Sequence, residues 1–303
     1  MNLEFIHILS DIKSTVTVKE DVPMSLHTTM RVGGRARYFA ECESADDVKN
    51  VLFAAKEAEV DVMVIGNGSN LLFSDDGFDG VILHLGNGFT DIQINGNEMR
   101  CGAGALMSAA ARAALNAELT GFEALSGIPG TIGGGVYMNA GAYGGEISQV
   151  LTGVTVLEDG AVRTYSAAEM KLGYRHSLAM EKEMILLEAV FTLQKGEHDA
   201  ILAAMNDYNQ RRRDKQPLEY PSAGSFFKRP EGHFAGALIE GCNLKGYRVG
   251  GAQVSEKHAG FLINRGGATA SDILDLMRYV QQTVKQETGV TLEPEVRIIG
   301  GEK

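Results

Sequence analysis

The chain has 303 residues, 44% of them apolar, and a formal charge of −11. That length allows two or three domains around a sizeable core. The acidic balance argues against general nucleic-acid binding, so an anionic ligand needs a local basic pocket. No apolar run of 18 or more residues predicts a membrane span. The start, MNLEFIHILSDIKS, carries Glu4 and Asp11 and lacks a basic beginning, so no secretory signal is expected. Cys42, Cys101 and Cys242 are odd in number, far apart and without metal spacing. They are expected to be buried structural thiols in a reducing cytoplasm, with no metal site.

In chain order, Leu3, Ile6, Leu9 and Ile12 predict an amphipathic helix over residues 2–13. A polar stretch, Ser25 to Gly34, leads into a strand, RARYFAEC. Ser44 followed by Asp47 resembles a capping arrangement and predicts a helix to about Glu59. VDVMVIG reads as a buried strand running into GNGSNLLF, a common setting for phosphate binding. GVILHL is a further strand, and Leu106 to Ala117 an alanine-rich helix. Strands are expected at Val150 to Leu157 and Met184 to Leu193. The character changes near Gly196: a helix is expected from about Glu197 to Lys215, then alternating strand and helix. That part includes a strong helix from Ser271 to about Glu287 and a closing strand in LEPEVRIIG. The expected domains are 1–196 and 197–303.

Leu125 to Gly144, LSGIPGTIGGGVYMNAGAYG, is the most informative run: seven glycines, one proline and no charge. Glycine permits φ > 0 and close backbone approach to a ligand, and successive bare N–H groups form anion-binding concavities. Ile128, Ile132, Val136, Tyr137 and Met138 interleave with the glycines, which suits an ordered ligand cradle better than a flexible linker. GxxxxGK[ST] is absent, which disfavours a P-loop. Leu71 stands where a GxGxxG fingerprint beginning at Gly66 and Gly68 needs its third glycine, which disfavours a Rossmann site. Two glycine loops, IGNGSNLL and the long run, remain as a grip for the phosphates of a dinucleotide.

TTMRVGG, IGNGSNLL, LSGIPGTIGGGVYMNAGAYG, GYRHS, GSFFKRP and LEPEVRIIG occur in this order from about Thr28 to Gly300. Together they resemble the UDP-N-acetylenolpyruvoylglucosamine reductase (MurB) family, in its shorter, second form. The stretch from LGYRHS to the strand expected from Met184 leaves little room for the tyrosine-bearing insertion of the longer form. The resemblance implies an α+β fold. A two-part FAD-binding region of the vanillyl-alcohol-oxidase (PCMH) type would precede a C-terminal α/β substrate domain. It also implies a cytoplasmic, NADPH-dependent reduction of UDP-N-acetylglucosamine enolpyruvate to UDP-N-acetylmuramate. The first glycine loop has no histidine, so FAD is expected to be non-covalent. The cofactor residues implied are Gly66, Asn67, Gly68, Ser69, Asn70 and Leu71, with Ile128, Pro129, Gly130, Gly133, Gly134, Asn139 and Gly141 of the long run.

Three residues match the family's catalytic set. By itself Ser225 reads as a turn serine after Gly224; the resemblance makes it the proton donor, a role that depends on positioning. Arg175 offers a planar fork for a carboxylate and for enolate charge. Glu295 either partners the enolate in protonated form or orients water and Arg175. Tyr174, Lys215, Lys228 and His258 are carried over as substrate-binding; His258 stands where relatives of the longer form have glutamine. Most of Arg211, Arg212 and Arg213 reads as a solvated helix end. Two other readings share parts of this pattern. One is an FAD oxidoreductase with another substrate, which has no reason to carry GSFFKRP or LEPEVRIIG. The other is a non-catalytic flavin-carrying subunit, which needs an apolar docking surface.

Overall fold

The computed structural model describes residues 4–300. Leu3, part of the predicted first helix, lies outside the described residues. Packing divides the chain into two compact units. The first takes residues up to Lys19, Tyr38–Asn67 and Gly80–Arg211. The second takes Glu20–Arg37, Gly68–Asp79 and the chain from Arg212 on. These units are not the two sides of a cut at residue 196. Two early segments pack with the C-terminal part, and the helix 198–215 crosses the division.

The first unit holds helices α1 (Glu4–Asp11), α2 (Ala45–Glu57), α3 (Met107–Asn116) and α4 (Ile132–Tyr137), and most of α5 (His198–Lys215). The Ser44 hydroxyl accepts the Asp47 N–H at 3.1 Å, which caps α2 as the sequence predicts. Strands Asp61–Ile65 and Phe78–Leu85 pair in parallel through Asp61↔Gly80 to Ile65↔His84. A five-stranded antiparallel sheet has the order 161–166, 151–158, 184–192, 98–102, 92–95. Its outer hairpins turn tightly. Asp159 and Gly160 both have positive φ (50° and 73°), the type I′ pattern; Gly96, at φ 60°, opens a II′-like turn. The core of this unit gathers Phe5, Tyr38, Val51, Met107, Phe122, Val156 and Phe191. Burial pushes the Cys42 and Cys101 thiols up to about 12, so both stay protonated and inert.

The second unit has its own core of Leu72, Phe226, Leu262, Leu276 and Val280. It is built on α6 (Ala235–Gly241), α7 (Ala270–Thr288) and a three-stranded antiparallel sheet, 248–249, 252–254 and 262–264. Strand Arg297–Ile299 runs parallel to Leu71–Phe73. α7 begins in a capping box of Thr269 and Asp272 and ends at Gly289 with φ 76°. Asp75 adds a second cap from a distant loop: its carboxylate accepts the Ala270 and Ser271 N–H groups, each at 2.8 Å, and the Ser271 hydroxyl at 2.6 Å. Burial raises the Asp75 pKa, but these bonds outweigh it and hold the group below the ordinary aspartate value. Backbone bonds from Thr269 and Gly251 lower Asp272 likewise. A depressed acid stabilises above its unfolded pKa and loses that contribution as pH falls through the folded one. Thermal stability is therefore expected to stay level down to about pH 5 and to drop below about pH 4. Asp75→Ala should cost ~0.5–2 kcal/mol at neutral pH and shrink that acid limb. Melting curves across pH test this; an unchanged limb would exclude Asp75 as a linked group.

Candidate active site

The two glycine loops meet in the first unit. A Cβ on Gly66 would lie 2.3 Å from Thr131 Oγ1, and the Asn67 side chain donates to Pro129 O at 2.7 Å. The long run is not a loop throughout: Ile132–Tyr137 is helical, with Thr131 Oγ1 accepting the Gly134 N–H at 3.3 Å. Ile132 N–H bonds to Ala105 O and Gly133 N–H to Ala103 O, both at 2.8 Å. The amides of Ile132, Gly133 and Gly134 are thus engaged within the protein. Among the described residues no protein acceptor meets the N–H of Asn67, Gly127 or Gly130, which leaves these donors for a ligand.

Three of the seven glycines of the run serve the protein's own packing. A Cβ on Gly133 would stand 3.0 Å from Ala103 Cβ, on Gly135 2.9 Å from Met107 Sδ, and on Gly141 2.7 Å from Glu146 Cβ. Gly134 differs: it is exposed, and a Cβ there would meet only Thr131 Oγ1, at 3.5 Å. A helical glycine with open space above it costs helix stability without a packing return. The bare backbone there fits a ligand lying close against it. Gly134→Ala is accordingly expected to raise the stability of the FAD-free protein by up to ~1 kcal/mol while weakening FAD binding. Equilibrium unfolding of apoprotein and an FAD titration measure the two signs; unchanged FAD affinity would remove Gly134 from the cofactor surface.

The GYRHS motif forms a tight turn in the same unit. Gly173 and His176 exchange both backbone hydrogen bonds, at 3.0 and 3.2 Å, with Tyr174 and Arg175 at the tip. Arg175 has φ 53°, a conformation in which non-glycine residues are uncommon. Its guanidinium lies 5.2 Å from the centroid of the exposed Tyr174 ring and donates to Gly141 O at 3.5 Å. The Asn139 side chain donates to Gly173 O at 3.0 Å and accepts the Ser148 N–H at 2.9 Å. The Ser177 hydroxyl donates to Tyr137 O at 2.7 Å. Asn139, assigned from sequence to the cofactor, thus directs its amide to the arginine turn. Ser177, fully buried, had no role in the sequence reading although it closes the GYRHS motif, because nothing local shows which distant carbonyl its hydroxyl reaches.

In the second unit, predicted residues gather around one extended segment, 225–228. Phe226 N–H donates to Gly260 O and Phe226 O accepts the Glu295 N–H, both at 2.8 Å, which sets Ser225 between the turn carrying His258 and Glu295. Ser225 is exposed. Asn70 Nδ2 donates to Glu295 O at 3.2 Å, and Asn70 O accepts the Arg297 N–H at 3.0 Å. Leu71 is buried in the parallel pair with Arg297. Gly68 (φ 59°) is required by contact with His27, whose carbonyl oxygen a Cβ would approach to 2.0 Å; Ser69 is half-buried.

His258 Nδ1 accepts the Gly260 N–H at 3.1 Å, so the proton of the neutral ring sits on Nε2, a donor. Burial, with the positive charges of Lys245 and Lys215, holds its pKa below the ordinary histidine value despite the opposing Glu240. Lys215 is the exposed last residue of α5, close enough for its charge to act on His258. Lys228 is paired with Glu293 at 3.1 Å at the exposed end of the segment. Arg211 pairs with Asp207 at 2.8 Å, in keeping with a solvated helix end.

Fold and site define an FAD-binding protein: residues 36–166 match the family described as FAD binding domain. Residues 216–299 match the family described as UDP-N-acetylenolpyruvoylglucosamine reductase, C-terminal domain. The chain is 46% identical to the UDP-N-acetylenolpyruvoylglucosamine reductase of Agathobacter rectalis, over 99% of each chain. It is 48% identical to that of Lachnoclostridium phytofermentans, over 99% of this chain and 98% of the relative. The crystal structure of the Thermus caldophilus reductase (MurB) is similar with TM-score 0.83 at 35% identity, covering 94% of this chain and all of that one. The chain belongs to the UDP-N-acetylenolpyruvoylglucosamine reductase family. The expected architecture, an FAD-binding region followed by a C-terminal domain, is the one these matches bear out. Among the described residues no helix is long and apolar enough to cross a membrane, and no cluster of His, Cys, Asp and Glu could hold a metal ion.

Proposed function

We propose that this chain reduces the enolpyruvyl ether of UDP-N-acetylglucosamine enolpyruvate to UDP-N-acetylmuramate, with NADPH as reductant, in the synthesis of peptidoglycan precursors. FAD, non-covalently bound, supplies the hydride chemistry between NADPH and the vinyl CH2 carbon. The residues that hold it are the bare amides of Asn67, Gly127 and Gly130 and the open backbone at Gly134. Ser225 delivers a proton from its hydroxyl to the neighbouring carbon, so hydride and proton add across the double bond and the ether becomes a lactyl ether. Arg175 holds the substrate carboxylate with its fork and balances the negative charge that builds there. Glu295, whose N–H bonds to the carbonyl of Phe226 next to Ser225, supports the charge or proton of the developing enolate. Lys215 and the Nε2–H of His258 supply the local positive and donor groups that a diphosphate requires in an acidic protein. Tyr174 and Lys228 complete the substrate contacts. NADPH and a nucleotide-linked sugar as reactants favour a cytoplasmic enzyme.

The observation that carries this reading is the pairing of Phe226 with Gly260 and Glu295, which brings Ser225, His258 and Glu295 to one place. The test is an anaerobic visible spectrum after NADPH and again after the enolpyruvyl substrate. Bleaching by NADPH followed by return of the oxidised bands is expected. Bleaching without return would leave a flavoprotein with another substrate, and a protein that cannot be reconstituted with FAD would discard the cofactor.

A further inference from the structure

We propose that Asn139 is a positioning residue for Arg175, holding the arginine turn against the cofactor segment in one orientation. This rests on the reading of Arg175 as the group that holds the substrate carboxylate. The turn is exposed at its tip, with Tyr174 56% accessible. The positive φ of Arg175 is unfavourable for a non-glycine residue, so an unrestrained turn would relax away from it. Among the described residues, three side-chain bonds tie it to the segment 137–141. Ser177 reaches Tyr137 O, Asn139 reaches Gly173 O, and Arg175 reaches Gly141 O. Positions 137, 139 and 141 of the cofactor segment thus alternate against 173, 175 and 177 of the turn.

Asn139 is the central tie. It is 1% exposed, and both ends of its amide are engaged: nitrogen toward the Gly173 carbonyl, oxygen toward the Ser148 N–H. Its own φ is 42°, a region that asparagine adopts more readily than other non-glycine residues. Only a carboxamide of this length gives donor and acceptor at once. Aspartate keeps the size, the backbone tolerance and the bond to Ser148, but presents an acceptor to the Gly173 carbonyl.

The test compares Asn139→Asp, Arg175→Gln and the double variant in the two half-reactions. Asn139→Asp is expected to leave NADPH-driven bleaching within about two-fold and to slow reoxidation by the enolpyruvyl substrate by ~10–100-fold, since a small misplacement of a positioning group costs that much. In the Arg175→Gln background the same change should cost less than about two-fold, because the two act as one. Hydrogen exchange of the 173–177 amides in the FAD-free protein should quicken in Asn139→Asp. Ser177→Ala, which removes one tie and leaves the Asn139 backbone alone, should show the same pattern to a smaller degree. Equal slowing of both half-reactions, loss of FAD, or full additivity of Asn139→Asp with Arg175→Gln would overturn the positioning role. A wild-type protein not reoxidised by the substrate would overturn the reading of Arg175 itself, and this role with it.

Discussion

Ser225→Ala is expected to bleach with NADPH at nearly the wild-type rate and then fail to reoxidise with the enolpyruvyl substrate, its second half-reaction slowed by ~10²–10⁴-fold. The contrast follows from what Ser225 touches. It is exposed, and among the described residues its hydroxyl meets no protein partner, so its removal should change stability by no more than about 0.5 kcal/mol. Its backbone is held from both sides through Phe226, so an alanine there keeps the same path. A lost half-reaction in a folded, FAD-loaded variant then reports the missing proton. Stopped-flow absorbance in the two half-reactions is the measurement. Reoxidation at the wild-type rate would remove Ser225 from the chemistry and leave it the turn serine that its local sequence suggests.

Phe226→Ala should have the largest effect on stability, ~3–5 kcal/mol, through the cavity left by a fully buried aromatic ring. The ring packs edge-on against Phe227, centroids 5.5 Å apart, within the core of the second unit. The same residue's peptide links the His258 turn to Glu295, so loosening it should also blur the arrangement around Ser225. Denaturant unfolding, followed by hydrogen exchange of residues 212–300 against the first unit, separates the two effects. An unfolding midpoint equal to wild type would contradict the placement of Phe226 in that core. Phe226→Leu, which refills much of the space, should restore most of both losses.

Much of the framework could be read along the chain. Ser44 with Asp47 marked α2, Thr269 with Asp272 stands at the start of α7, and the apolar strands at 151–158 and 184–192 lie within about a residue of expectation. These elements carry their signals locally, in a cap or in a run of branched apolar residues. Two hairpins, turning at Gly96–Asn97 and Asp159–Gly160, carry little signal along the chain, because their outer strands are partly or largely exposed and lack an apolar run. α4 was hidden for the opposite reason. Three consecutive glycines oppose a helix, and only the Thr131 cap, the carbonyls of Ala103 and Ala105, and the close approach of Met107 reverse that preference.

The site divides in the same way. The linear sequence by itself determined the residue types available for chemistry: the glycine runs, the arginine of GYRHS, the serine of GSFFKRP and the glutamate of LEPEVRIIG, because each is announced by its immediate neighbours. Only the tertiary structure decided which glycines pack against Ala103, Met107 or Thr131 and which lie in open space. It also decided that Asn139 bonds to the arginine turn, and that the residue after Ser225 bonds to both Gly260 and Glu295. Contacts of that kind depend on hydrogen bonds between segments tens of residues apart, and no local propensity encodes the partner of such a bond.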